Sequence, residues 1–366
     1  MSVCPQCGVL NSLVSVPVPP PPKKKSTGAL RVAASIGVAI IVLAGIILLA
    51  PTVTSFVIQQ KDNPAITILQ PSSQQPSTMP REELVQHVLN RINKDRADFG
   101  LLPVELSSNQ AAQIHAEDVF GTRQISHWMT NGEKPYMTYT QYDGEGSVQQ
   151  NVAIAGFSPE QYEQCVTNVL IKCEEIEPLS TIDQLQYEMM YNDKECCNDG
   201  HKDNVLNPRH THVSIGIVYD QYYLALVQNF ENNYGLDVDV EDSSEIEISG
   251  TLLEGQLDHI AIYYDEMPTR AAYEQNKDLL SYSAGELVAV IVKPLPPGYY
   301  YESLEGYDII EADRWIEQSD SVNIGFDLAD AVEEDGAYTL FALVKDGEEV
   351  FDVTSYSVFV NSEESD

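Results

Sequence analysis

Basic side chains are scarce in this 366-residue chain: 20 Lys and Arg stand against 56 Asp and Glu, a formal net charge of −36. The shortage is uneven. Residues 1–50 carry Lys23, Lys24, Lys25 and Arg31 and no acid, so the other 316 residues hold 16 basic against 56 acidic groups, a net −40. Such a surface repels phosphate and anionic headgroups, which excludes a nucleic-acid role. It suits solubility in a salty medium, or weak cation binding. Cysteine is scarce as well, with six in all. No second CxxC and no nearby histidine follows Cys4 and Cys7, and no nucleophile-elbow serine, Ser–His–Asp or Cys–His arrangement is visible.

One long apolar run is present. "VAASIGVAIIVLAGIILLA", Val32 to Ala50, has no charge and the length of a membrane-crossing helix. It starts too far into the chain, and is too long, for the apolar region of a signal peptide. "KKK" and Arg31 precede it and the acidic remainder follows, so the positive-inside rule predicts a single-pass protein of the cell membrane. Residues 1–27 fall in the cytoplasm, 28–54 hold the transmembrane helix, and everything beyond lies outside. The cysteines follow this split: Cys4 and Cys7 on the reducing side, Cys165, Cys173, Cys196 and Cys197 where disulfides persist. "CPQCG" has the form of half a zinc ribbon, either completed by a second chain to hold Zn²⁺ or vestigial. "VPVPPPPKKKSTG" is a solvated spacer, and residues 55–80, rich in Ser, Pro and Gln, read as a stalk.

Order is expected from residue 81. Leu84, Val88, Ile92 and Phe99 recur at helical spacing before Gly100. "LSSNQAAQIHAEDVFG" predicts a second helix capped by Ser107 or Ser108 and stopped by Gly121, and "SPEQYEQCVTNVL" a third with Ser158 as cap and Pro159 at its first position. "HVSIGIVYD" and "YYLALVQNF" read as neighbouring strands, making residues 81–235 mixed α/β. After that the texture changes. "IEISGTLL", "HIAIYYD", "LVAVIVK", "VNIGFDL", "YTLFALV" and "YSVFV" are short apolar-alternating runs between Gly, Pro and acidic turns, the pattern of an all-β, immunoglobulin-like sandwich over residues 236–366. That part has 32 acidic and 5 basic residues and no clustered chemistry, which suits an interaction or spacer module.

Four segments, "LNRINKDRADFGLLPVEL", "NQAAQIHAEDV" with "ISHWM", "NVAIAGFSPEQ" and "GHKDNVLNPRHTHVSIGI", taken in that order and spacing, resemble the CAP superfamily of cysteine-rich secretory, antigen 5 and pathogenesis-related 1 proteins, also called SCP domains, in its prokaryotic form. The resemblance covers about residues 82–234. It implies a three-layer α-β-α sandwich and a cleft lined by two histidines and two acids, in which some members bind zinc or another divalent metal. Carried over by position, the histidines are His127 and His201. The first acid falls on Gln150, a departure from the family. The second is blurred by an insertion at about Lys172 to Glu188; Asp193 is the first choice and Glu188 the second.

Two neutral imidazoles can form a zinc or copper site, or can simply be hydrogen-bonded in a polar cleft. Gln150 cannot take a proton near neutral pH, so a hydrolase would need Asp193, Glu145 or Glu188 as its base. His210 and His212 read as polar residues at a strand entrance rather than a chelating pair, and His115 as a satisfied helix residue. His87 and His259 have no supporting context. Cys196 and Cys197 are adjacent, and a bridge between neighbours closes a strained eight-membered ring, so cross-pairing with Cys165 and Cys173 is expected, a four-cysteine metal site being the alternative. Tyr136, Tyr139 and Tyr142, spaced by three, either stack on a sugar or lipid or pack in the core. The combined reading is a membrane-anchored extracellular protein that binds a lipid, a surface polymer or a partner protein without turning it over. The alternative is a metal-dependent, peptidase-like hydrolase built on His127 and His201. A third reading makes the chain a link through which the "CPQCG" segment reports on the outer domains.

Overall fold

The computed structural model describes residues 15–17, 79–168, 170–241, 244–302 and 305–361. The expected membrane segment at 28–54, the Cys4–Cys7 pair and nearly all of the stalk lie outside the described residues. Among those described, no helix is long and apolar enough to cross a membrane.

A short strand β1 (Ser15–Pro17) comes first. The α/β part then runs α1 (Arg81–Asp98), β2 (Glu105–Leu106), α2 (Ala111–Thr122), α3 (Pro135–Gln141), β3 (Ser147–Gly156), α4 (Pro159–Thr167), α5 (Pro178–Tyr191), α6 (Lys194–Cys197), α7 (Gly200–Leu206), β4 (His212–Tyr219) and β5 (Tyr223–Asn232). In α1, Leu84, Val88 and Ile92 sit four apart on one buried face, and Glu82 and Glu83 in the first turn complement the helix dipole. Phe99, expected on that face, is the C-cap and half exposed, because the helical period has ended there. Gly100 (φ +77°) makes the left-handed turn that follows. α2 begins later than its serines predict: the Asn109 side chain accepts the Ala111 N–H at 2.9 Å. Gly121 lies inside its last turn, and Arg123 (φ 56°) takes the left-handed position. α4 follows expectation, with Ser158 and Gln161 forming a reciprocal capping box ahead of Pro159.

The sheet has the order β2-β4-β5-β3, parallel only between β2 and β4. Alternation along the buried central strand β5 sets the layers. Leu224, Leu226 and Phe230 face a core shared with α1, α5 and Val205 of α7, while Tyr223, Ala225 and Val227 pack on Ala112, Ala116 and Val119 of α2. Helices thus cover both faces, an arrangement compatible with the expected α-β-α sandwich. The α2 backbone comes so close to β4 that a Cβ on Gly216 would sit 1.9 Å from the Ala112 carbonyl oxygen.

The second part runs β6 (Leu236–Glu241), β7 (Glu245–Thr251), β8 (Gln256–Asp265), α8 (Arg270–Asn276), β9 (Glu286–Val292), β10 (Tyr299–Tyr301), β11 (Asp308–Glu311), β12 (Arg314–Gln318), β13 (Ser321–Asp327), β14 (Gly336–Asp346) and β15 (Glu349–Val360). Sheets β11-β9-β8-β14-β15 and β12-β13-β7-β6 face each other across one core, with Ile260, Ile262, Ile291, Leu340 and Val344 on one side and Ile246, Ile248, Ile324 and Phe326 on the other. β11 joins β9 in parallel, and β10 pairs antiparallel with β1. The departure from an all-β reading is α8, which the Thr269 side chain caps by accepting the Ala272 N–H at 3.1 Å. It sits in the 20-residue connection between β8 and β9, residues 266–285.

The described residues from Met79 onward fall within one compact unit. Tyr136, Met137, Tyr139 and Val148 of the α/β part share an apolar cluster with Tyr282, Ala337, Phe341 and Phe359 of the sandwich. Tyr136 donates to Asp265 at 2.6 Å and Tyr139 to Glu231 at 3.0 Å, so both are core residues with satisfied hydroxyls, while Tyr142 is partly exposed. Main-chain bonds reinforce the joint, with Ser355 N–H donating to the Gly146 carbonyl at 3.1 Å.

Candidate functional site

β3 is an edge strand of the α/β sheet, and alternate residues on it face opposite layers. Gln150, in phase with Val152 and Ile154, faces α2. Asn151, in phase with Ala153, faces α7, where it donates to the His201 carbonyl at 3.0 Å and accepts from Asn204 at 2.8 Å. The loop after α2 brings His127 to the first side and α7 brings His201 to the second, near enough for His201 to act electrostatically on His127.

On the α2 side a chain of hydrogen bonds fixes the protons. The Ser126 carbonyl can only accept, so His115 donates Nε2–H to it at 3.0 Å. His115 Nδ1 therefore accepts from Gln150 Nε2 at 2.9 Å, and Gln150 Oε1 accepts from His127 Nδ1 at 3.1 Å. Gln150 Nε2 also lies 3.1 Å from Asn229 Oδ1. The His127 ring also meets the Leu280 main chain, a contact that favours its protonated form. Burial pushes His115 down to about 3, and the nearby His127 adds to the effect. His127 is pushed down to about 4 by burial; the Gln150 hydrogen bond opposes the shift and the neighbouring His201 reinforces it. Both rings are neutral at physiological pH. His115, expected to be merely satisfied, is thus a structural member of the site.

On the α7 side Asp193, 2% exposed, accepts from His201 Nδ1 at 2.6 Å, from the His201 N–H at 2.9 Å and from the Lys202 N–H at 3.3 Å. Asn198 (φ 53°) and Asp199 (φ 67°) fold the chain back between α6 and α7, and Asn and Asp tolerate that conformation best among non-glycine residues. Glu188, the other candidate acid, bonds Gln184 and Asn192 on the exposed side of α5. Glu145 bonds Asn233, also at the surface.

The cysteine pairing differs from expectation. Cys165 joins Cys173, with Cα atoms 5.7 Å apart, and Cys196 joins its neighbour Cys197. Cross-pairing fails because Cys173 closes an eight-residue loop back onto α4, whereas Cys196 and Cys197 lie beyond α5 beside Asp193. The Cys196 disulfide sulfur is 3.6 Å from Asp193 Oδ1. Asp193, Cys196, Cys197 and His201 together could hold a metal ion, their ligand atoms lying within 4.8 Å of one another.

A roof over the cleft had no sequence expectation. The β8–β9 connection crosses it: the Tyr282 ring lies 5.1 Å from the His127 ring, its hydroxyl accepts the Gln150 N–H at 3.2 Å, and the Leu280 main chain reaches His127. Burial pushes the Tyr282 hydroxyl well above its ordinary pKa. The edge of β3 is thus closed by Tyr282 on its N–H and by Asn204, which donates to the Gln150 carbonyl at 3.3 Å. An ion between His127 and His201 fits this donor set poorly. Gln150 is neutral and committed to three partners, Asp193 is committed to His201, and among the described residues no free carboxylate is bonded to either histidine.

The remaining histidines lie elsewhere. His210 is buried, stacked on Phe230 at 5.3 Å with Nδ1 2.7 Å from Asn232 Oδ1, and His212 contacts the Thr211 hydroxyl at 2.9 Å, so the two do not converge. His87 pairs with Asp183 and His259 with Asp258, both at 2.8 Å.

No protein-family model matches the chain, and no curated protein matches it. Among solved structures, an extracellular protein containing a SCP domain from Bacillus anthracis str. Ames is similar over 42% of this chain, at 19% identity and a TM-score of 0.28. The match spans 41% of that protein's length.

Proposed function

We propose that the chain is a membrane-anchored, extracellular CAP-type binding protein rather than an enzyme. The observation that carries this reading is the state of Gln150. Where the resemblance calls for an acid stands an amide that cannot act as a base, bonded to His115, His127 and Asn229 and roofed by Tyr282. His127 and His115 are both held neutral by burial beside that amide, which suits recognition of a polar group more than activation of water. The ligand is a lipid, a surface polymer or a partner protein, the acidic sandwich seating against the cleft as part of the same module.

The anchor is Val32–Ala50. A crossing there and the β1–β10 pairing exclude each other, since a single span would put Ser15–Pro17 and Tyr299–Tyr301 on opposite sides of the bilayer. In the anchored form the pair is open. Labelling intact cells with a membrane-impermeant thiol reagent tests this, because modified Cys4 or Cys7 would overturn the topology. For the function, detergent-solubilised full chain is assayed against peptide and glycan substrates beside His201→Ala. No turnover is expected; cleavage that His201→Ala abolishes would replace the binding reading with the metal-dependent hydrolase.

A further inference from the structure

The Cys196–Cys197 bridge has no evident structural work. It links neighbours already joined by the main chain, so it restrains almost no loop in the unfolded state. Cys196 is exposed, so a dissolved thiol can reach the bridge. Against it lies an unusual carboxylate: Asp193 is buried, its hydrogen-bond partners are the His201 and Lys202 main-chain N–H groups and the His201 imidazole, its Oδ1 lies 3.6 Å from the Cys196 disulfide sulfur, and among the described residues no Lys or Arg side chain pairs with it. Burying a carboxylate without a cation is costly, and such a group attracts one.

We propose that reduction of the Cys196–Cys197 disulfide creates a divalent-metal site of the zinc class from Asp193, Cys196, Cys197 and His201. A dithiol reductant attacks the bridge and leaves as its own disulfide, delivering two electrons and two protons, so that Cys196 and Cys197 become thiols. The ion then displaces both thiol protons, which go to solvent. Asp193 Oδ1 and His201 Nδ1, now 2.6 Å apart around one proton, turn to the ion instead, and that proton moves to His201 Nε2. Two thiolates, one carboxylate and one imidazole give the four donors of a closed tetrahedral site, and the thiolates select zinc over calcium or magnesium. While the bridge is intact the sulfurs have no charge to donate, so the site is switched by redox state. The proposal is independent of the binding function and of the His127 side of the cleft.

The test uses the detergent-solubilised full chain carrying Cys4→Ser and Cys7→Ser, which removes the other thiolate pair, with Co²⁺ as the probe. After a dithiol treatment that is then removed under argon, we expect one Co²⁺ per chain with thiolate-to-cobalt charge-transfer absorption, and no such band in the oxidised chain. Cys196→Ser/Cys197→Ser should abolish the band, and His201→Gln and Asp193→Asn should each weaken binding at least about tenfold. The oxidised-against-reduced comparison changes no residue of the proposed site. A reduced chain that takes up no cobalt, or a band that survives in Cys196→Ser/Cys197→Ser, overturns the proposal. Uptake that is equal in both redox states and lost in His127→Gln also overturns it, and would put the ion in the cleft, against the binding reading instead.

Discussion

Placing an acid at position 150 tests the proton assignments around His127 directly. In Gln150→Glu a carboxylate oxygen would sit where the amide oxygen lies, 3.1 Å from His127 Nδ1. At an effective dielectric constant of about 20, unit charges at that distance attract by about 5 kcal/mol, equivalent to about four pK units. Burial of the new carboxylate under Tyr282 opposes this, so a rise of at least about two units is expected, taking His127 from about 4 to about 6 or above. The far side of the chain suffers. His115 Nδ1 and Asn229 Oδ1 both accept from the Gln150 amide, and a carboxylate offers them no proton. Asn229 can adapt, because its own Nδ2 lacks a partner and an amide flip would turn it to the carboxylate. His115 can adapt only by gaining a proton, since Nε2–H is held by Ser126. The variant should therefore lose about 1–3 kcal/mol at neutral pH. Long-range ¹H–¹⁵N correlation of labelled histidines reads tautomer and titration together, with His127→Gln to assign the signals. A His127 midpoint within about half a unit of the wild type, or a wild-type His115 protonated on Nδ1, would refute the hydrogen-bond chain.

Three further outcomes follow from the geometry. His115, His127 and His210 stand at about 3, 4 and 3 when folded, below the free value of 6.5, so the unfolded chain binds more protons as pH falls. Stability should be full above about pH 6.5 and decline toward pH 4, by up to about 1.4 kcal/mol per pH unit for each ring, with Glu231 and Asp352, raised by burial, partly offsetting. Urea unfolding at pH 7 and pH 5 reads the slope, and equal stability at both would contradict the neutral, buried rings. Arg209 reaches Glu254 at 2.9 Å, Asp346 at 3.1 Å and Glu349 at 2.5 Å, and lies 4.2 Å over the Phe351 ring. Arg209→Met should cost about 1–2 kcal/mol at low salt, because its acidic partners are themselves partly exposed, and less in 1 M salt; a loss that salt does not change would point to packing rather than charge. Gly216→Ala forces a Cβ against the Ala112 main chain, which cannot yield like a side chain, and should lower stability by about 3 kcal/mol or prevent folding; a variant with wild-type melting would show that α2 sits farther from β4.

Features carried by local periodicity were legible in the sequence. The face of α1 could be read from Leu84, Val88 and Ile92, and the Ser158 cap and the strands of β4 and β5 likewise, because each depends on residues within one turn or one pleat. The α2 start was misread by two or three residues, since Asn109 and the serines before it are all competent caps and only the packing of Ala112 against Gly216 chooses between them. The Cys196–Cys197 bridge was argued away on local strain, which does not weigh how far Cys165 and Cys173 lie from the α6–α7 corner.

The roof was out of reach for a different reason. An edge strand such as β3 needs its free N–H and C=O groups covered, so a cover could be expected, but which of twenty tyrosines supplies it is decided 132 residues away. Once Tyr282 is in place, Gln150 reads as more than an amide where the resemblance expects an acid. A carboxylate beneath that ring would be sealed from water and would demand a charged His127 to balance it, whereas the amide bonds both histidines while leaving them neutral. An amide at 150 is therefore what lets the β8–β9 connection close over Gln150 and His127 without burying charge, and the amide and the seating of the sandwich are two sides of one arrangement.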